Sequence, residues 1–161
     1  MPFVHNPLYV LVRKDDNRFD AVSERLNDSS IKFAVVPNTV LDFAAHERFP
    51  KALRVDANDF QGNVDLIMMV VTKKADASIN MMTAIDQYNQ NNPQSPVKTV
   101  GEPVRFCHGG FLLPQGDVNF KHMIDAALME LSASGRLEKI IAKYMADDKR
   151  HFRLPAKPYA E

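Results

Sequence analysis

The stretch IKFAVVPNTVLDFAAHERF, residues 31–49, restricts the fold more than any other part of the chain. Residues 31–36 are almost continuously apolar, the pattern of a strand covered on both faces of a parallel sheet. Pro37, Asn38 and Thr39 break that run, and Leu41, Ala44, Ala45 and Phe49 then recur at helical spacing, which predicts a helix over residues 40–49 with those side chains inward. A strand, a tight turn and a helix start in succession leave first-turn N–H groups without intrahelical acceptors, where the helix dipole adds positive potential. Asn38 and Thr39 bring polar side chains to the same corner, making it a candidate small-anion site. An ordinary N-cap role also explains Thr39, and residues of its kind serve as caps far more often than as ligand contacts.

The rest of the chain repeats the alternation. LYVLV at residues 8–12 reads as a strand, a short helix capped by Asp20 or Ser23 runs to Leu26, and residues 27–30 form a turn. LRVD at 53–56 is a further strand, followed by cap candidates Asn58, Asp59 and Asn63. The apolar segment 63–71 fits a buried helix or a strand. A helix over 83–88 ends in the polar, proline-punctuated loop 89–96, and 97–100, 104–107 and 111–113 read as short strands. Beyond them Phe120, Met123, Ile124, Ala127, Leu128 and Leu131 form an apolar helical stripe, Gly135 breaks the helix, and Leu137, Ile140, Ile141 and Tyr144 resume the period as a core-packing hairpin. Strands alternating with helices predict an α/β fold: an open, mostly parallel sheet in three layers with flanking helices, whose ligands bind beyond the carboxyl ends of the strands.

Composition removes several functions. Twenty basic residues balance twenty acidic ones, so nothing draws the chain to nucleic acid. No apolar run reaches the 18 or so residues that span a bilayer, and membrane insertion is not expected. MPFVHNPLYV lacks the features of a secretory signal, so any export signal is expected either to have been removed or to lie on a longer precursor. The single Cys107 excludes an internal disulfide and a thiolate cage. His108-Gly109-Gly110 invites a metal reading, yet no second His, Cys or carboxylate stands at ligand spacing, so no metal and no cofactor is expected. Asp42 and His46 read as a solvated i,i+4 pair on a helix shared with Glu47. With no paired carboxylates, nucleophile elbow or phosphate loop, no catalytic residue is assigned.

Gly116-Asp117, the Ala-x-x-Glu-Leu core at 127–131, Gly135 and the closing Ile140-x-x-Lys143-Tyr144 stand in a fixed layout. It resembles the C-terminal signature of the family 3 bacterial extracellular solute-binding proteins, the periplasmic amino-acid-binding type, and the likeness extends over residues 7–144. The resemblance implies one lobe of a periplasmic-binding-protein type II fold: a second lobe over residues 1–146 with hinge strands near 8–12 and 104–113, then a charged tail over 147–161, extended or loosely docked. It implies a non-catalytic, periplasmic or extracellular module that takes an amino acid or small carboxylate for an ABC transporter permease. The family's first lobe has no counterpart, so a missing lobe or partner chain would complete the cleft. The implied ligand residues are Pro37, Asn38, Thr39, Val40, Asn80 and Met81. Asn38-Thr39 stands where the family has Gly-Thr or Gly-Ser, and residues 73–79 resemble its Gly-x-x-Asp-Ala step at Asp76-Ala77. Five positions after that Asp the family places an acid for the ligand ammonium; here it is Met81, so another carboxylate serves or the ligand is not a standard α-amino acid. A dehydratase-like enzyme, a sensor or an interaction module on the same scaffold are the alternatives.

Overall fold

A computed structural model of the chain describes residues 1–20, 23–57, 62–144 and 150–155. The cap candidates Asn58 and Asp59, Met145 and most of the tail lie outside these. Contacts divide the chain into two compact units, Pro7–Phe106 and a second made of Met1–Asn6 with Cys107–Glu161, where the sequence reading expects one lobe over 1–146. Two strands, β1 (Val4–Arg13) and β5 (Val97–Gly109), carry the chain across that division.

The unit Pro7–Phe106 is built on a sheet that also holds β2 (Lys32–Val35), β3 (Leu53–Asp56) and β4 (Ala77–Met81). The strand order is β3-β2-β4-β1-β5, with β2 parallel to both β3 and β4 and β1 antiparallel to β4. Side-chain alternation assigns the faces. Tyr9 and Leu11 share one cluster with Ile67 and Val70 of α2 (Asn63–Val71) and with Met82, Ile85 and Tyr88 of α3 (Met82–Asn91). On the opposite face lie Leu8, Val10 and Val12, all buried, and Phe33, which stacks on Phe49 just beyond α1 (Val40–Arg48), ring centroids 4.9 Å apart. The result is three layers, helices α2 and α3 on one face and α1 on the other. Segment 63–71 is thus the helix of its two readings. The helix ending at Leu26 is a single 3-10 turn, Ser23–Leu26.

At the C-terminus of α2, Lys73 takes φ 63°, Lys74 N–H donates to the Met69 carbonyl at 2.9 Å and Lys73 N–H to that of Val70 at 3.2 Å. This is a Schellman close with lysine in the place that favours glycine. Arg13 secures the same helix end, donating to the carbonyls of Val70 and Ala75.

In the other unit, α4 (Val118–Ala133) and α5 (Arg136–Tyr144) are separated at Gly135, whose φ of 69° makes the expected break. Val4, Leu137, Ile141 and Phe152 form its small core. The stripe on α4 corrects the expectation of a core-packing hairpin: Leu128 is its buried member, while Phe120 and Met123 are exposed. Residues 97–109 form one long strand instead of two, and 111–113 form none. Part of the tail is docked, since Arg153 pairs with His5 through two backbone hydrogen bonds of 2.7 Å.

Candidate functional site

Strands β2 and β4 are neighbours, paired at Ala34 and Ser78, yet the helices that follow them lie on opposite faces of the sheet. Chain reversal of this kind opens a crevice at the carboxyl ends of the two strands, where open α/β sheets bind ligands. Residues 37–40 follow β2 at this edge, and Asn80, Met81 and the start of α3 follow β4. The expected ligand residues therefore sit on two adjacent strand ends within one unit.

The corner itself is a tight turn. Thr39 N–H donates to the Val36 carbonyl at 3.3 Å across Pro37 and Asn38, and Asn38 has φ 62°. Proline first and a positive φ second is the pattern of a type II turn, in which asparagine is the usual substitute for glycine. Thr39 is the N-cap of α1: its hydroxyl donates to the Val36 carbonyl at 2.7 Å and accepts from Asp42 N–H at 3.5 Å. Pro37 and Asn38 are exposed, Thr39 is half-buried and Val40 is 38% exposed. The corner is open rather than sealed under side chains, and the first-turn amides of Val40 and Leu41 precede any intrahelical acceptor.

Asp42 was not foreseen at this corner. It is buried, its carboxylate accepts from Asn38 N–H at 3.1 Å, and it pairs with Arg54 at 3.0 Å. This corrects the solvated Asp42–His46 pair; Glu47 likewise pairs with Arg105, at 2.9 Å. The physical reason is that a first-turn carboxylate finds its best partner in an amide of the turn just before the helix, four residues back. The corner amides of Asn38 and Thr39 are therefore already taken, by Asp42 and by the Val36 carbonyl, which leaves those of Val40 and Leu41 for an anion.

Asn80 is buried and structurally committed. Its side-chain amide donates to the Asn63 carbonyl at the start of α2 (3.0 Å), and its oxygen accepts from Met81 N–H (2.9 Å). Met81 is the N-cap of α3 and offers no side-chain acceptor there. At the end of β3, Asp56 lies beside Val35 in the parallel register and is exposed. It puts a carboxylate on the same sheet edge, a feature that its place as the last residue of a strand-like segment signalled weakly.

Asp76 lies at the other end of β4. It accepts from Lys32 N–H at 3.0 Å and from Arg18 at 2.6 Å. Beside it the buried Asp16 pairs with Arg13 at 3.0 Å and Arg18 at 2.7 Å. The Arg18 hydrogen bonds outweigh burial and hold the Asp16 carboxyl below its ordinary range. The Asp76-Ala77 motif thus serves the sheet's amino edge, opposite the edge that carries residues 37–40 and Asn80. The unit's large cleft, of about 750 Å³, is also elsewhere, lined by Val10, Glu24, Phe49, Val100 and Val104.

Comparison with solved structures agrees on the fold. An extracellular-binding protein from Bacillus subtilis assigned to amino-acid ABC transport superposes with TM-score 0.71 at 20% identity, over 92% of this chain and 63% of its own. The arginine-, lysine-, histidine-binding protein of Geobacillus stearothermophilus gives 0.65 at 22%, over 91% and 62%. An ancestral amino acid-binding protein, a precursor of cyclohexadienyl dehydratase, gives 0.62 at 25%, over 89% and 59%. The chain is thus similar to amino-acid-binding proteins of ABC transporters and has the mixed sheet and flanking helices of the periplasmic-binding-protein type II fold. It spans about 60% of the length of these neighbours. No protein-family model matches the sequence, and no curated protein does. Among the described residues no helix is long and apolar enough to cross a membrane.

Proposed function

We propose that Pro7–Phe106 is the second, ligand-binding lobe of a non-catalytic solute-binding protein for an amino acid or small carboxylate. It acts outside the cytoplasm and delivers its ligand to an ABC transporter permease. The observation that carries this reading is the open corner at residues 37–40, placed at the chain reversal between β2 and β4. The ligand carboxylate takes the bare amides of Val40 and Leu41, with Asn38 and Thr39 shaping the turn. Asn80 and Met81 form the neighbouring wall. Asp56 is the carboxylate closest in topology for a ligand ammonium, since Met81 cannot neutralise one. The neighbours' extra length supports a further lobe or partner chain that closes the cleft. Half a cleft leaves much of a ligand wet, so this chain alone should bind weakly, on the order of millimolar.

An NMR titration of the nitrogen-15-labelled chain with a panel of amino acids and small dicarboxylates tests the site. The expected result is a shift of the Val40 and Leu41 amides by at least one panel member. Val40→Pro should abolish binding or weaken it by about tenfold, the value of one charge-assisted hydrogen bond. It should leave the helix intact, because proline is accepted at the first helical position and Thr39 already has the extended backbone a following proline requires. A corner that responds to no member of the panel overturns the reading.

A further inference from the structure

The sequence places no second ligand near His108, but folding does. His5 on β1 and His108 on β5 bring their Nδ1 atoms to 2.7 Å, with ring centroids 4.7 Å apart and ring planes at 72°. Both residues lie in the unit formed by Met1–Asn6 and Cys107–Glu161. Gly109 shows why the strands come so close: a Cβ there would stand 2.5 Å from Val4 Cγ1. The backbone of His5 is fixed on its other side by the two hydrogen bonds to Arg153, while His108 is exposed to solvent. One residue is thus held by its backbone and the other faces water, an arrangement that leaves outer coordination positions open.

Imidazole nitrogens bind first-row metals at about 2.0 Å, so two of them in adjacent positions of a square-planar or octahedral ion stand about 2.8 Å apart, against about 3.3 Å in a tetrahedron. The observed spacing matches the first. We propose that His5 and His108 form a two-imidazole site for a divalent transition ion of the copper(II) or nickel(II) type, the remaining positions being filled by water. The ion would tie β1 to β5 where each strand continues into the other unit.

The test is a calorimetric titration of the full chain with cupric chloride near neutral pH, followed by electron paramagnetic resonance. The expected result is one ion per chain with two directly coordinated nitrogens. His5→Ala and His108→Ala should each remove one nitrogen and weaken binding at least about tenfold, His122→Ala should change neither, and nickel should bind more weakly than copper. Circular dichroism on each variant establishes that it folds. Copper affinity unchanged in the folded His108→Ala protein, or a spectrum with fewer than two nitrogens in the unaltered chain, overturns the proposal and leaves an N–H···N hydrogen bond between the rings.

Discussion

In Pro7–Phe106 the side chains of Leu11, Val12, Leu26, Leu66, Ile67 and Val70 are fully buried, whereas in the other unit Met123 and Met129 keep 59% and 55% of their surface. Both regions draw on apolar residues at regular spacing. The difference is what each unit supplies to cover its apolar face. The sheet-bearing unit has helices on both faces of its strands, and burial closes within about a hundred residues of chain, enough for a self-sufficient core. In the second unit the inner side of α5 and Leu131 of α4 find cover in Val4 and Phe152, while Phe120, Met123 and Met129 of α4 stay exposed. An apolar stripe therefore records that a face is meant to be covered, without saying by what.

Four substitutions would break or sharpen this contrast, with hydrogen exchange reporting on each unit separately. The largest effect is expected for Ile67→Ala, which opens a cavity in the sheet-bearing core and should cost about 2–5 kcal/mol in urea unfolding. A loss below about 1 kcal/mol would mean that this unit is less closed than its burial implies.

Asp16→Asn comes next, at about 2 kcal/mol near neutral pH, because it removes hydrogen bonds to charged Arg13 and Arg18. The pH dependence follows from the direction of the Asp16 shift. Its folded carboxyl is more acidic than the unfolded one, so the contribution is fully present above the unfolded value near pH 4 and is lost as pH falls through the lower folded value. The Asn variant should show a flatter acid limb in a pH series of denaturation midpoints; an unchanged limb would assign the acid sensitivity to other carboxylates.

Lys73→Gly should raise stability by up to about 1 kcal/mol, since the positive φ there strains any residue with a Cβ. Met123→Gln should move stability by less than about 0.5 kcal/mol in this chain, as for other exposed positions. A larger loss would show that the stripe of α4 is covered in solution, and the contrast between the units would fall.

Parts of this arrangement were legible in the residues alone. The turn at Pro37-Asn38, the N-cap at Thr39, the break at Gly135 and the parallel strand at residues 32–35 follow from local chemistry, which acts over a few bonds. The helix at 63–71 was not, because an apolar run that short fits either period until packing chooses between them. Asn38 and Lys73 stand with positive φ where glycine would mark the turns, which blurs two of the signals that the family resemblance rests on.

What the sequence determined by itself was therefore the alternation of strands and helices and the chemistry of one corner, since hydrophobic period and turn residues are properties of neighbours along the chain. Only the tertiary structure decided that Asp42 fills part of that corner with Arg54 behind it, that Asn80 is spent on the start of α2, and that His5 meets His108. Arg54, Asn63 and His5 are brought to their partners by strand pairing and helix packing across 12, 17 and 103 positions of sequence. No periodicity carries information over such distances, because they are set by which strands lie side by side.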